Sequence, residues 1–93
     1  LLIGRSPEAH ISLPEVLSIS RDHARLEHRG AKVVLSDLGS TNGTYVQIGD
    51  QEVLFLHREQ LRLHGSGRLS LGRHLDADDA HPLRFACERR SRV

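Results

Sequence analysis

The sequence predicts an all-β domain, a sandwich of two antiparallel sheets, and three observations carry that expectation. Two-residue alternation is commoner than helical periodicity, the apolar runs are short, and Gly-rich polar turns separate them. The 93 residues make one small domain or a piece of one, able to bury roughly 60–65% of its unfolded surface in a modest core. Only Tyr45, Phe55 and Phe85 are aromatic, so the interior is expected to be Leu, Val, Ile and Ala.

Leu1-Leu2-Ile3 reads as an apolar strand that ends at Gly4-Arg5, releasing a long cation into the loop that begins Ser6-Pro7. Ser18-Ile19-Ser20-Arg21-Asp22-His23 forms the connection to the next strand. From His23 to Arg29 small or apolar residues alternate with charged ones, Gly30 ends the run, and Lys32 to Leu38 is a second apolar-rich run. Residues 24–37 therefore read as a hairpin. Gly39 to Gly43 joins it to a strand at Thr44-Tyr45-Val46, and alternation returns over 67–72 and 83–87. A helix competes over 14–29, because Leu13, Val16 and Leu17 share one helical face, Ser12 could cap it and Pro14 suits a first turn. Phe55 to Leu63 is a second stretch where both readings stand. The domain is expected over 1–87, with 88–93, Glu-Arg-Arg-Ser-Arg-Val, as a C-terminal tail or linker.

Thirteen basic against twelve acidic side chains leave a net charge of +1, which argues against a reader of nucleic acid or of an acidic membrane surface. Nothing aromatic is spare for stacking on bases. Twelve of the thirteen cations are Arg and one is Lys32; this fits a GC-rich genome's codon habit, and Arg is also the better bidentate partner for phosphate. A single cysteine, Cys87, excludes an internal disulfide and a cysteine metal cluster. No run of about 18 apolar residues and no apolar segment behind basic residues occurs, so no membrane span and no export signal are expected.

The polar clusters fall in loops that adjoin strands, where binding groups usually lie. Arg5 and Arg21 offer planar guanidinium donors, Ser20 and Thr41 hydroxyls, and Asn42 an amide with donor and acceptor. Such a set suits a dianionic tetrahedral oxyanion and, through Asn42, a peptide backbone. Ser20, His23 and Asp37 could be recited as a hydrolase triad. However, Ser20 is three residues from His23 in a loop, no Gly-x-Ser-x-Gly elbow is present, and the chain is small for a walled cleft. The domain is read as no enzyme. The seven histidines, at 10, 23, 28, 57, 64, 74 and 81, include no pair with tight zinc-motif spacing, so no metal and no cofactor are expected.

Gly4-Arg5, then Ser20-Arg21-Asp22-His23, then Asp37-Leu38-Gly39-Ser40-Thr41-Asn42-Gly43-Thr44 resemble, in order, the three motifs of the forkhead-associated (FHA) domain, a phosphothreonine-binding β-sandwich. Gly65 to Gly72 is similar to that family's late Gly-Asp-x-Ile-x-Leu-Gly hairpin, with Ser66 in place of Asp. The resemblance covers residues 1 to about 87. It implies that Arg5 and Ser20 bind the phosphate, joined by Thr41 and, through backbone or side chain, by Arg21, while Asn42 holds the ligand backbone. It further implies that His23 fixes the loops without touching ligand, and that Gly4, Gly39 and Gly43 support them. Gln47-Ile48-Gly49 stands where the family often has a second Asn-Gly. FHA domains usually begin with one or two strands ahead of the Gly-Arg strand, and this chain starts with that strand. The expectation is therefore a fragment of a longer protein, or a sheet completed by strand donation, from a homodimer mate or another chain, because a missing strand leaves an unpaired edge. The expected partner is a phosphothreonine-containing protein in bacterial cytoplasmic signalling. The alternative keeps the fold and drops the phosphate: a scaffold for an unmodified partner or for the parent chain.

Overall fold

The computed structural model describes residues 1–87, so the expected tail at 88–93 lies outside the described residues. Nine strands run in chain order: β1 (Leu2–Gly4), β2 (Ile11–Ser12), β3 (Ala24–Arg29), β4 (Lys32–Asp37), β5 (Thr44–Ile48), β6 (Leu54–Leu56), β7 (Gln60–Leu63), β8 (Ser66–Leu71) and β9 (Leu83–Ala86). They form a five-stranded sheet, β2-β1-β3-β4-β7, and a four-stranded sheet, β6-β5-β8-β9. Among the described residues there is no helix.

The hairpin over 24–37 has the expected register, closing at Arg29 opposite Lys32 around Gly30-Ala31. Its inward positions are apolar: Ala24 and Leu35 are fully buried and Leu26 packs against the core. The four-stranded sheet supplies the opposing layer through Val46, Ile48, Leu56, Leu69 and Leu71, and Ile3, Ile19 and Leu63 complete the cluster. Each such aliphatic side chain stabilises the fold by roughly 1.5–3 kcal/mol relative to an exposed one.

The two ambiguous stretches resolve on the β side. Val16 N–H donates to Leu13 C=O (3.3 Å) and Ile19 N–H to Val16 C=O (3.0 Å); these are three-residue turns, not the four-residue bonds of an α-helix. Leu13 N–H instead bonds the Gly4 carbonyl (2.9 Å), tethering the segment to the end of β1. Phe55 to Leu63 divides between β6 and β7, which belong to different sheets, so 57–59 cross the sandwich. Arg58 makes that corner at φ 57°, where its N–H reaches Asp37 Oδ1 (3.0 Å).

β1 lies between β2, parallel, and β3, antiparallel. The strand that bears Gly4-Arg5 therefore has partners on both sides. The outermost strands are β2 and β7 in one sheet and β6 and β9 in the other.

Candidate functional site

Three connections meet at one end of the sandwich. The chain leaving β1 at Gly4 is paired with the segment before β3: Arg5 N–H donates to Ser20 C=O (3.0 Å), Ser6 N–H to Arg21 C=O (3.1 Å), and His23 N–H to Ile3 C=O (3.0 Å). The approach is so close that a Cβ on Gly4 would lie 1.9 Å from the Arg21 carbonyl oxygen. Only glycine fits there, which is why Gly precedes the arginine.

Side chains then lock the loops together. Arg5 Nε donates to Ile19 C=O (3.0 Å), which fixes the guanidinium while its two terminal nitrogens remain for another partner. Ser20 Oγ accepts the Thr41 N–H (3.0 Å). Asn42 Nδ2 donates to Ser18 C=O (2.9 Å), and its amide oxygen remains an acceptor without a hydrogen-bond partner among the described residues. The result is an open cleft of about 300 Å³ whose walls include Arg5, Leu17, Ser20, Arg21, Thr41 and Asn42. Two arginines and no carboxylate line it, so it attracts anions.

Behind the cleft a buried polar network sets the loop shapes. Asp37 Oδ1 accepts N–H groups from Gly39 (3.0 Å), Ser40 (3.1 Å) and Arg58 (3.0 Å). Its Oδ2 accepts the hydroxyls of Ser40 (2.6 Å) and Thr44 (2.7 Å). Burial alone would raise the carboxyl's pKa, but these bonds, led by the Ser40 hydroxyl, together outweigh it and hold the group below its ordinary value. Ser40 Oγ in turn accepts the Gly43 N–H (2.9 Å). At Gly43 φ is +80°, a backbone conformation that disfavours a side chain, and a Cβ there would also push on the Phe55 ring. Gly39, at φ +78°, turns the chain after Asp37.

His23 is fully buried and bridges the loops. The Ser20 N–H can only donate, so Nδ1 accepts it (3.0 Å), and Nε2 carries the proton to the Gly43 carbonyl (2.7 Å). Burial lowers its pKa, against the opposing pull of the Gly43 carbonyl and of Asp37. Ser20 Oγ points away from this ring, toward Thr41 N–H, so Ser20, His23 and Asp37 do not form a nucleophile relay. The same imidazole that could have been recited as a base is a clamp.

The structure gathers all five expected ligand-facing residues, Arg5, Ser20, Arg21, Thr41 and Asn42, around one cleft. Gly4, His23, Gly39 and Gly43 lie behind it in the loops they shape. Sequence reasoning assigned no roles to Ser40, Thr44 or the Ser18 and Ile19 carbonyls. A signal existed for Ser40, since Asp-x-x-Ser at a Gly turn invites side-chain to backbone bonding. Nothing local marks Thr44, seven residues from Asp37.

A sandwich that presents an electropositive, loop-built cleft at one end is the architecture of a binding module. The sequence profile described as FHA domain matches residues 1–72, and the chain belongs to that family. The FHA domain-containing proteins FhaB of Mycolicibacterium smegmatis and of Mycobacterium tuberculosis are each 46% identical to it over 46 residues, covering 50% of this chain and 29% of theirs. This chain thus spans less than a third of those relatives. A structure from a study of phosphothreonine-dependent FHA domain interactions superposes with TM-score 0.60 at 31% identity, covering 76% of this chain and 66% of the other. The FhaA FHA domain, solved in complex with the intracellular domain of Rv3910, gives 0.59 at 31%, covering 76% and 69%. The Rv1747 FHA-1 domain of Mycobacterium tuberculosis shares the fold over 96% of this chain and 79% of its own, with TM-score 0.68 and 24% identity.

Proposed function

We propose that this domain binds phosphothreonine in a partner protein. The observation that carries the reading is the convergence of Arg5, Ser20, Arg21 and Thr41, all hydrogen-bond donors, on a cleft without a carboxylate. Arg5, oriented by its Nε bond to Ile19, directs its terminal N–H groups at the phosphate. Ser20 and Thr41 donate hydroxyls, Arg21 adds a second cation, and the unpartnered amide oxygen of Asn42 accepts a backbone N–H of the ligand. Phosphothreonine carries about −1.5 to −2 charges. Three or four charge-assisted bonds of roughly 1.5–3 kcal/mol each, less the cost of ordering the peptide, amount to micromolar affinity, on the order of −8 kcal/mol.

Binding modules that receive a phosphorylated partner need no catalytic group and no cofactor, and none is assigned. The FhaA complex supports a protein as partner. We place this interaction in bacterial cytoplasmic signalling, on the mycobacterial relatives and the Arg-rich composition. Completion of a sheet by strand donation, from a second copy or another segment, would fall at one of the outer edges, β2 or β7 in one sheet and β6 or β9 in the other.

The test is fluorescence anisotropy with a degenerate phosphothreonine library beside unphosphorylated and phosphoserine libraries. Saturable, phosphate-dependent binding is expected, with phosphoserine weaker by the roughly 1–3 kcal/mol that one methyl group is worth in a fitted pocket. Phosphate-independent binding by a folded domain would replace this reading with the scaffold alternative.

A further inference from the structure

The outer face of the five-stranded sheet carries a charge that the chain as a whole does not. Side chains alternate along a strand, and Leu26 and Leu35 turn inward to the core. Arg25, Glu27 and Arg29 of β3 therefore face outward, with Lys32 opposite Arg29 on β4 and Arg62 opposite Val34 on β7. Four cations stand there against one carboxylate, a surplus of +3 in a chain whose total is +1. Glu27 is already shared between Arg29 (3.6 Å) and Arg25 (4.0 Å). Among the described residues Lys32 and Arg62 have no ion-pair partner.

Two observations separate this face from an ordinary solvated one. Val34 and Ser36, at its centre, are 8% and 6% exposed although they point away from the core. Arg29 reaches across β4 to Gln60 Oε1 (3.4 Å), and long charged side chains of this kind cover what lies under their stems. Beneath that cover the Ser36 hydroxyl is buried without a hydrogen-bond partner, a state that is destabilising for a polar group. A carboxylate that draws the arginine layer outward gives this hydroxyl the acceptor it lacks.

We propose that this face docks an acidic segment, rich in Asp and Glu, of a partner protein. The proposal goes beyond the phosphothreonine reading and does not depend on it. Three of the four cations are arginines, whose planar fork pairs bidentately with a carboxylate. Nucleic acid fits less well, because Tyr45, Phe55 and Phe85 all belong to the other sheet and leave no ring here to stack on a base. An anionic membrane also fits less well: none of the exposed large apolar side chains lies on β3, β4 or β7, so nothing is offered for insertion.

The test is an amide chemical-shift map of the labelled domain titrated with an unphosphorylated peptide of alternating Asp and Glu. It is run on the wild type, on Lys32→Glu with Arg62→Glu, and on Arg68→Glu with Arg84→Glu, which changes the net charge equally on the other sheet. Saturable shifts are expected over 25–36 and 60–62, with the Arg5 cleft unmoved and affinity falling as salt rises. The first double variant should bind roughly two- to twentyfold more weakly, the worth of two exposed ion pairs, and the second about as well as the wild type. Lys32→Gln with Arg62→Gln gives a smaller loss of the same sign and replaces the reversal if that disturbs the fold. No saturable binding at low salt, shifts centred on the cleft or on Arg68 and Arg84, or equal weakening in both double variants would overturn the proposal. So would tighter binding of oligouridylate or of phosphatidylglycerol vesicles to the same face. None of these outcomes bears on phosphothreonine binding, which the phosphopeptide titration reads separately.

Discussion

The segment from Asp37 to Gly43 has two sides that use similar chemistry to opposite ends. On the inner side polar groups are consumed: Asp37 accepts five hydrogen bonds, and both ring nitrogens of His23 are engaged. On the outer side, among the described residues, the terminal nitrogens of Arg5, the Arg21 guanidinium and the Thr41 hydroxyl have no protein partner. The difference follows from water. A buried polar group without a partner costs about 1–3 kcal/mol, so the inner network has to close on itself; solvated donors can wait for an external anion. The inner side is therefore architecture, and the outer side is the one free to act as the receptor we propose.

Substitutions that break each side separately sharpen this contrast. Asp37→Asn puts an NH₂ donor among donors, and a loss of roughly 2–4 kcal/mol in urea unfolding is expected, with peptide affinity falling as the loops loosen. Arg5→Ala reverses the pattern. Phosphopeptide affinity should fall by roughly 2–3 kcal/mol, that of charge-assisted bonds, while stability changes by no more than about 1 kcal/mol for the lost Ile19 bond. A melting midpoint that collapses in Arg5→Ala would erase the distinction between the two sides.

Gly4→Ala joins them. Its methyl meets the Arg21 carbonyl, so the strand end or the Ser20 loop must move, costing about 1–3 kcal/mol of stability together with affinity. Acid acts on the inner side through two groups. His23 titrates below its ordinary 6.5 in the folded state, so as pH falls the unfolded chain takes up the proton first. Its contribution to stability is complete above about pH 6.5 and declines below that as pH falls through the lowered folded value. Asp37, held below 3.8, adds a second loss at lower pH with the same sign. Urea midpoints measured across this range should fall with acid for the wild type and less steeply for His23→Gln. The smallest effect belongs to Asn42→Ala, roughly 0.5–1.5 kcal/mol in peptide affinity for one neutral hydrogen bond, read by anisotropy.

Much of this was legible in the chain. Strands with two-residue alternation, such as Ala24–Arg29, and turns with Gly, such as Gly39 to Gly43, announce themselves locally. The three motifs gave the cleft residues. What was not legible depends on contacts distant in sequence. Ile11–Ser12 is too short for any periodicity to show, and it is a strand only because β1 pairs with it. Leu13, Val16 and Leu17 share a helical face on paper, yet the tether from Leu13 N–H to Gly4 C=O turns the segment so that Val16 packs inward and Leu17 outward. Asp37 reads locally as a turn residue; its bonds to Thr44 and Arg58 arise from strands brought together by the sandwich.

The most direct test of the division between receptor and brace is an amide chemical-shift map of the isotope-labelled domain titrated with a phosphothreonine peptide. Saturable shifts should concentrate at Arg5, Ser20, Arg21, Thr41 and Asn42 and be absent with the unphosphorylated peptide. Phosphate-dependent shifts centred elsewhere, for instance on the hollow beside Arg68 and Arg84 at β8 and β9, with the Arg5 cleft unmoved, would contradict it.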